Sequence, residues 1–77
     1  MQNKHLFTTV SADIKVYERF FKEVDYELFD NSILVSLDDD RLIVFLRKLL
    51  KDLNGYNHSS IIIDDDLNFM IYDDYIE

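Results

Sequence analysis

The residues best suited to chemistry are the aspartates near the C-terminal end, in the stretch SIIIDDDLNFMIYDDYIE. Asp64, Asp66 and Asn68 stand at alternate positions, which is how the oxygen ligands of a calcium loop begin. The rest of that pattern fails, because the loop's glycine position holds Phe69 and its final glutamate position holds Tyr75. The spacing therefore argues against a calcium loop, and we expect no metal or other cofactor.

Hydrolytic chemistry has candidate residues but no recognisable arrangement. His58 precedes Ser59 and Ser60, but neighbours in sequence rarely point at one another, and a catalytic triad is recognised by its geometry. Both histidines, His5 and His58, are interpreted as ordinary surface residues. The absence of cysteine excludes a thiol nucleophile, and a single glycine, Gly55, excludes the phosphate-binding loops. We therefore expect a protein that is not an enzyme.

The distribution of charge says more than the net charge of −8. Residues 1–51 carry nine acidic and eight basic side chains, whereas residues 52–77 carry seven acidic side chains and no lysine or arginine. This pattern is the opposite of the basic footprint of a nucleic-acid-binding protein, and it disfavours anionic membranes. Uncompensated carboxylates repel one another at a cost in stability, so the acidic region is a candidate for steering towards a basic protein surface.

The candidate partner-binding residues share this acidic region. They are Asp64, Asp65, Asp66, Tyr72, Asp73, Asp74 and Tyr75. Same-face side chains on a strand lie roughly 6 to 7 Å apart, close to the phosphate spacing along one nucleic-acid strand. The tyrosines would add apolar area and a hydrogen-bonding tip. The alternative has equal weight: charges protect edge strands against edge-to-edge aggregation.

The elements that position these residues begin with a strand and a helix. Residues 5–10 are rich in β-branched and aromatic side chains, which predicts a strand. Ser11 offers an N-cap for a helix whose apolar residues recur every three or four positions. That stripe consists of Ile14, Tyr17, Phe21, Val24 and Leu28. Residues 26–29 and 32–37 then predict two short strands joined by a tight turn at Asp30 and Asn31.

A second helix and a terminal hairpin complete the chain. The triplet Asp38–Asp40 stands where one aspartate would cap the helix and the others would favour its positive end. The helix is predicted to reach about Asn54, with Gly55 as a left-handed stop. Its apolar stripe is unusually wide and belongs to the core or, alternatively, to a partner contact: Leu42, Ile43, Phe45, Leu46, Leu49, Leu50 and Leu53.

The terminal hairpin turns at the second aspartate triplet, Asp64–Asp66. Alternation along its second strand places Phe69 and Ile71 inward, and Tyr72 and Asp74 outward.

Together these elements predict a single compact α+β domain over residues 1–77. A small antiparallel sheet of four to five strands would carry two helices on one face, in the order β-α-β-β-α-β(-β). The first six elements match the split βαβ order of ferredoxin-like folds. No apolar stretch is long enough for a membrane span and the N-terminal residues lack a signal-peptide core, so we expect a cytoplasmic protein.

In size, acidity and lack of catalytic features the chain is similar in character to small phage-encoded inhibitors, including DNA-mimicking antirestriction and anti-CRISPR proteins. The likeness is one of composition and implies a host-cell cytoplasmic location if the chain is phage-encoded. The leading hypothesis is an inhibitor that blocks the basic nucleic-acid-binding surface of a nuclease or a CRISPR- or restriction-type effector, without contacting nucleic acid itself. The alternative is a non-enzymatic assembly module that forms a homodimer through the second helix or the terminal hairpin.

Overall fold

The computed structural model describes residues 3–56 and 59–73 of the chain. Its elements, in chain order, are β1 (Asn3–Thr9), a 3₁₀ helix (Ile14–Phe21), β2 (Asp25–Leu28), β3 (Ile33–Leu37), α1 (Asp39–Tyr56), β4 (Ser59–Ile63) and β5 (Phe69–Asp73). The α+β class predicted from the sequence is confirmed. Neither helix in the described part of the chain has the length and apolar character needed to cross a membrane.

The strands form one sheet in the order β2-β3-β1-β5-β4. The pairs β2–β3, β1–β3 and β4–β5 are antiparallel, whereas β1 and β5 are parallel, with Phe7 opposite Phe69. The sheet is therefore mixed, and the prediction of an antiparallel sheet is only partly correct. The difference comes from β5, which is inserted between β1 and β4 and interrupts the split βαβ order expected for the first six elements.

The core is built around Phe7 in the central strand. Its ring centroid lies 4.8 Å from that of Phe69, 4.9 Å from that of Phe21 and 6.3 Å from that of Phe45. These rings come from β5, the 3₁₀ helix and α1, so they hold both helices against the same face of the sheet. The alternate strand residues point to the opposite face, which neither described helix covers.

The first helix is shorter and tighter than predicted. Its N-cap is Asp13, whose carboxylate accepts a hydrogen bond of 3.0 Å from a backbone N–H of the first turn, so the assignment of Ser11 as cap is wrong. The helix ends at Phe21, which leaves Val24 in the following turn and Leu28 in β2. The predicted stripe therefore spans a helix, a turn and a strand, because all three bury residues on the same core.

The helix α1 continues through Gly55, so the prediction of a left-handed stop at this glycine is wrong. Gly55 has no positive φ, and a methyl group placed there would meet nothing within 4 Å. Among the described residues the non-glycine residue with a positive φ, of 60°, is Leu67, in the connection between β4 and β5. A bulky residue in this conformation is strained, so the surrounding structure must hold it in place.

The wide apolar stripe of α1 divides into two parts. The core-facing side chains are Leu42, Phe45, Leu49 and Leu53, and Leu46 packs partly against them. Ile43 and Val44 point outward and are 55% and 68% exposed. The core interpretation therefore holds for most of the stripe, and two apolar residues of the helix remain available at the surface.

Candidate protein-binding site

The acidic turn, defined here as residues 64–67, connects β4 to β5. The backbone N–H of Leu67 donates to the carbonyl of Asp64 at 3.1 Å, and the N–H of Asp64 donates to the carbonyl of Asn68 at 3.0 Å. The Asp64 carboxylate closes the turn from within, because its Oδ1 accepts the backbone N–H groups of Asp66 and Asn68, both at 2.9 Å. The carboxylate of Asp64 is thus committed to local structure.

Two hydrogen bonds attach the acidic turn to β1. The Nδ1 of His5 lies 3.1 Å from the carbonyl oxygen of Leu67, so Nδ1 carries the hydrogen and donates it. The backbone N–H of Leu6 donates to Oδ1 of Asn68 at 3.1 Å. These bonds act on consecutive residues at the end of the turn, and they hold Leu67 in its left-handed conformation.

His5 is a residue of the candidate site that sequence reasoning missed. Its interpretation as a surface residue is wrong, because its side chain is buried and its ring centroid lies 5.9 Å from that of Phe69. The available signal was the alternation of β1, which places His5 on the same face as the core residue Phe7. His5 positions the acidic turn and does not form part of its surface.

Asp65 and Asp66 form the exposed tip of the acidic turn. Within residues 3–56 and 59–73, neither side chain has a hydrogen bond or an ion pair. Their carboxylates therefore face solvent from a turn whose backbone is fixed at both ends. This arrangement can present negative charge to a partner without first breaking an internal contact.

The other predicted site residues lie at the far end of β5. Tyr72 is 49% exposed on the face away from the helices, and the backbone of Asp73 pairs with that of Ser59. Because β5 has five residues, its two ends are about 14 Å apart. The structure thus keeps the aspartates of the acidic turn together and separates them from Tyr72 and Asp73. Asp74 and Tyr75 lie outside the described residues.

The side chains of β5 alternate between the two faces of the sheet. Phe69 and Ile71 are buried and Tyr72 is exposed, so the alternation predicted for this strand is confirmed for these three residues.

The structure brings a second group of carboxylates to the same end of the sheet. The strands β3 and β4 run in the same direction, because each is antiparallel to one member of the parallel pair β1–β5. Asp38–Asp40 comes directly after β3 and Asp64–Asp66 directly after β4. Both triplets therefore leave the same end of the sheet, separated by β1 and β5. The repetition of three aspartates after an apolar strand was the signal available in the sequence.

The basic residues are concentrated in the helical layer. Seven of the eight lie in a helix or directly after one: Lys15, Arg19, Lys22, Arg41, Arg47, Lys48 and Lys51. The remaining one, Lys4, lies on β1 between the two aspartate triplets. Most of the positive charge is therefore in the helical layer, and Lys4 is the basic residue of the strands.

Two glutamates, Glu18 in the 3₁₀ helix and Glu23 in the turn after it, have side-chain partners in the fold. Lys48 forms an ion pair with Glu23, and this hydrogen-bonded contact raises the pKa of Lys48. The hydroxyl of Tyr26 donates to Glu18 at 2.7 Å, which raises the pKa of Tyr26. These contacts contrast with the acidic turn, whose two exposed carboxylates have no such partner among the described residues.

The fold and this surface define a small α+β domain with a mixed five-stranded sheet and an acidic end. Comparisons with protein-family models, curated proteins and solved structures give no match to this chain. The surface itself is therefore the basis for proposing a function.

Proposed function

We propose that this protein is a small acidic inhibitor that occupies the basic nucleic-acid-binding surface of a nuclease or a related effector. The observation that carries the proposal is the acidic turn, where Asp65 and Asp66 are exposed and unpaired within the described chain. The inhibitor would act by binding alone, without catalysis. It would compete with nucleic acid for the partner's basic surface.

Preorganisation supports this proposal. The acidic turn is closed by the Asp64 carboxylate and attached to β1 through His5 and Asn68, so binding would not need to order this backbone. Affinity is lost whenever a flexible segment must be ordered on binding. A turn that is already fixed can therefore contribute its charge at a low entropic cost.

The sidedness of the charge also supports it. The two aspartate triplets leave the same end of the sheet, and seven of the eight basic residues lie in the helical layer. A predominantly acidic surface attracts a basic partner over a distance comparable to the Debye length, which raises the association rate. Tyr72 and Asp73, at the far end of β5, belong to the proposal as a second contact region, together with Asp74 and Tyr75, which lie outside the described residues.

The proposal can be tested by affinity capture from a cell lysate with the immobilised protein. We expect a nucleic-acid-binding protein to be retained at about 50 mM salt and released at about 500 mM salt, because salt screens exposed charges. Double-stranded DNA added as a competitor should also release it. The captured enzyme should lose activity when the protein is added back.

A matched pair of double variants separates position from total charge. D65N/D66N and D39N/D40N each remove two negative charges from the same end of the sheet. We expect capture and inhibition to weaken strongly in D65N/D66N and only slightly in D39N/D40N. The proposal would be contradicted if the amount of captured partner did not change with added salt, with competitor DNA or with either double variant.

A second candidate function, a non-enzymatic assembly module, is favoured by a different observation. Ile43 and Val44 on α1, and Ile62 and Ile63 on β4, are each about half exposed or more. Exposed apolar side chains that cluster on one element often mark an interface. This function predicts a mass that rises with concentration from 9.3 kDa towards twice that value. A constant mass at high concentration would count against it.

A further inference from the structure

The two edges of the sheet differ in their protection against pairing. The edge strand β2 is short, and its exposed residues Asp25 and Glu27 are charged, which is a common protection. The edge strand β4 has the sequence SSIII, with no charge and no proline, and its register with β5 contains no bulge. Ile62 is 49% exposed and Ile63 is 52% exposed. One edge therefore opposes pairing and the other permits it.

The backbone of β4 has hydrogen-bonding groups that point away from the sheet. The N–H of Asp64 donates to the carbonyl of Asn68, so these two residues form a hydrogen-bonded antiparallel pair. Hydrogen-bonded and non-hydrogen-bonded pairs alternate along such a ladder. Ile62 therefore directs its N–H and C=O towards β5, while Ile61 and Ile63 direct theirs towards the open edge.

We propose that β4 pairs with β4 of a second copy of this chain, antiparallel and around a two-fold axis at Ile62, to form one continuous sheet through both copies. The inference deepens the assembly function by naming its surface, and it does not depend on the inhibitor proposal. The occupant of the edge is thus the same strand of another molecule.

The side chains of β4 are complementary to themselves in this register. Ile62 would lie opposite Ile62 of the second copy, and Ile61 would lie opposite its Ile63. Every isoleucine of one strand would then face an isoleucine of the other, and β-branched cross-strand pairs stabilise a sheet. A shift of the axis by one residue to Ile61 would place Ile62 and Ile63 opposite Ser60 and Ser59, with less apolar contact.

Charge selects the antiparallel orientation. The acidic turn comes directly after β4, so parallel pairing would place two aspartate triplets side by side. In the antiparallel arrangement Asp65 lies three residues from the axis in each copy, which separates the two by about 20 Å along the paired strands. That distance exceeds two Debye lengths at physiological ionic strength, so the repulsion is small.

The assembly would close at two copies. After pairing through β4, the remaining edges are the two β2 strands, whose exposed aspartate and glutamate repel one another. Pairing around a two-fold axis uses the β4 edge of both copies, so neither β4 edge remains free to bind a third copy. A single strand pair makes a small interface, and we expect dissociation in the micromolar range or weaker.

The absence of cysteine from the chain permits a test by single-cysteine crosslinking. In I62C the two thiols would face each other in a non-hydrogen-bonded pair, with Cα atoms about 4.5 Å apart, which suits a disulfide. In I63C the same atoms would be about 9 Å apart, beyond the range of a disulfide. V44C places a thiol at the more exposed apolar position of α1 and is the control for random collision.

We expect mild oxidation to convert I62C to a disulfide dimer at least about tenfold faster than I63C or V44C, because pairing raises the local thiol concentration. Sedimentation of the wild-type protein should show a mass rising from 9.3 kDa towards twice that value. I62K should remain monomeric at concentrations where V44K dimerises. Circular dichroism of each reduced variant checks that the fold is kept.

Three results would overturn the inference. They are a wild-type protein that stays monomeric at millimolar concentration, a V44C variant that crosslinks as fast as I62C, and an I63C variant that crosslinks faster than I62C. The second result would show that the crosslinking of I62C reports random collision or another interface, and not pairing through β4. None of them bears on salt-dependent capture of a basic partner, so failure of this inference and failure of the inhibitor proposal are distinguishable.

Discussion

The two aspartate triplets come after strands that run in the same direction and leave the same end of the sheet, yet the fold uses them differently. At the first triplet, the carbonyl of Asp38 accepts the N–H of Leu42 at 2.8 Å, and Asp39 accepts a hydrogen bond of 2.8 Å from the amide of Asn3. Asp39 and Asp40 occupy the first turn of α1. At the second triplet, Asp64 alone is committed to the turn.

The comparison shows that two identical runs of aspartate can have different roles in one fold. The element that comes after the triplet decides its role: a helix needs acceptors and negative charge at its start, whereas a hairpin turn needs one acceptor. The start of α1 gives Asp39 and Asp40 a place in the first turn, as the sequence predicts, whereas the capping of α1 by a side chain of this triplet stays a prediction. The hairpin turn leaves Asp65 and Asp66 without a structural role, which is why they carry the proposed function.

The largest effect is expected for Asp64→Ala. This substitution removes the acceptor of two backbone N–H groups, and we expect the free energy of unfolding to fall by about 1 to 2 kcal/mol. Asp65→Ala is the matched control and should change it by less than about 0.5 kcal/mol. Urea denaturation measures both variants. An equal fall in the free energy of unfolding for Asp64→Ala and Asp65→Ala would contradict the distinct role assigned to Asp64.

Asp38→Ala tests the first triplet in the same way. Loss of the residue that precedes α1 should lower the free energy of unfolding by about 1 kcal/mol, as is usual for an N-cap. Asp40→Ala, inside the first turn, should lose less than half as much, because alanine's helix propensity offsets the lost interaction with the helix dipole. A larger loss at Asp40 than at Asp38 would contradict this division.

Leu67→Gly should stabilise the protein, because glycine adopts a positive φ without strain. We expect the free energy of unfolding to rise by about 0.5 to 1 kcal/mol, the relief of strain being partly offset by the entropy of glycine in the unfolded chain. Gly55→Ala is the companion change at the end of α1 and should add a similar amount. The two gains should add in a double variant, since the residues lie in separate elements.

The smallest effect concerns alkaline pH and the two groups that are hydrogen-bonded to Glu18 and Glu23. Tyr26 and Lys48 have raised pKa values in the fold, because each is hydrogen-bonded to a glutamate. A raised pKa means that the folded state holds the proton more tightly, so this contribution to stability is complete below about pH 10 and is lost as the pH rises further.

The double variant Y26F/K48M should therefore show a shallower fall of the free energy of unfolding above about pH 10 than the wild-type protein. D65N/D66N should leave that fall unchanged, because these aspartates are unpaired within the described chain. Denaturant titrations at a series of pH values measure both. A fall in Y26F/K48M as steep as in the wild-type protein would contradict the assignment.

Local patterns predicted the parts of the fold that depend on local physics. The two short strands around Asp30 and Asn31 and the buried alternation of Phe69 and Ile71 arise directly from residue type and spacing. The predicted end of α1 was wrong because the helix tolerates Gly55, whose preference for a left-handed conformation is weak beside the hydrogen bonds of a continuing helix. The sequence identified the acidic residues of the candidate site but not which of them lie close together in the fold.

Periodicity and residue counts were enough to establish the order of strands and helices along the chain, most of the core and the acidity of the C-terminal region. The tertiary structure was needed to show that β5 inserts beside β1, that His5 is buried under the acidic turn, and that both triplets share one end of the sheet. The physical reason is that strand direction and pairing depend on contacts between distant residues. The two aspartate triplets have the same sequence, so their composition cannot indicate where strand pairing places them.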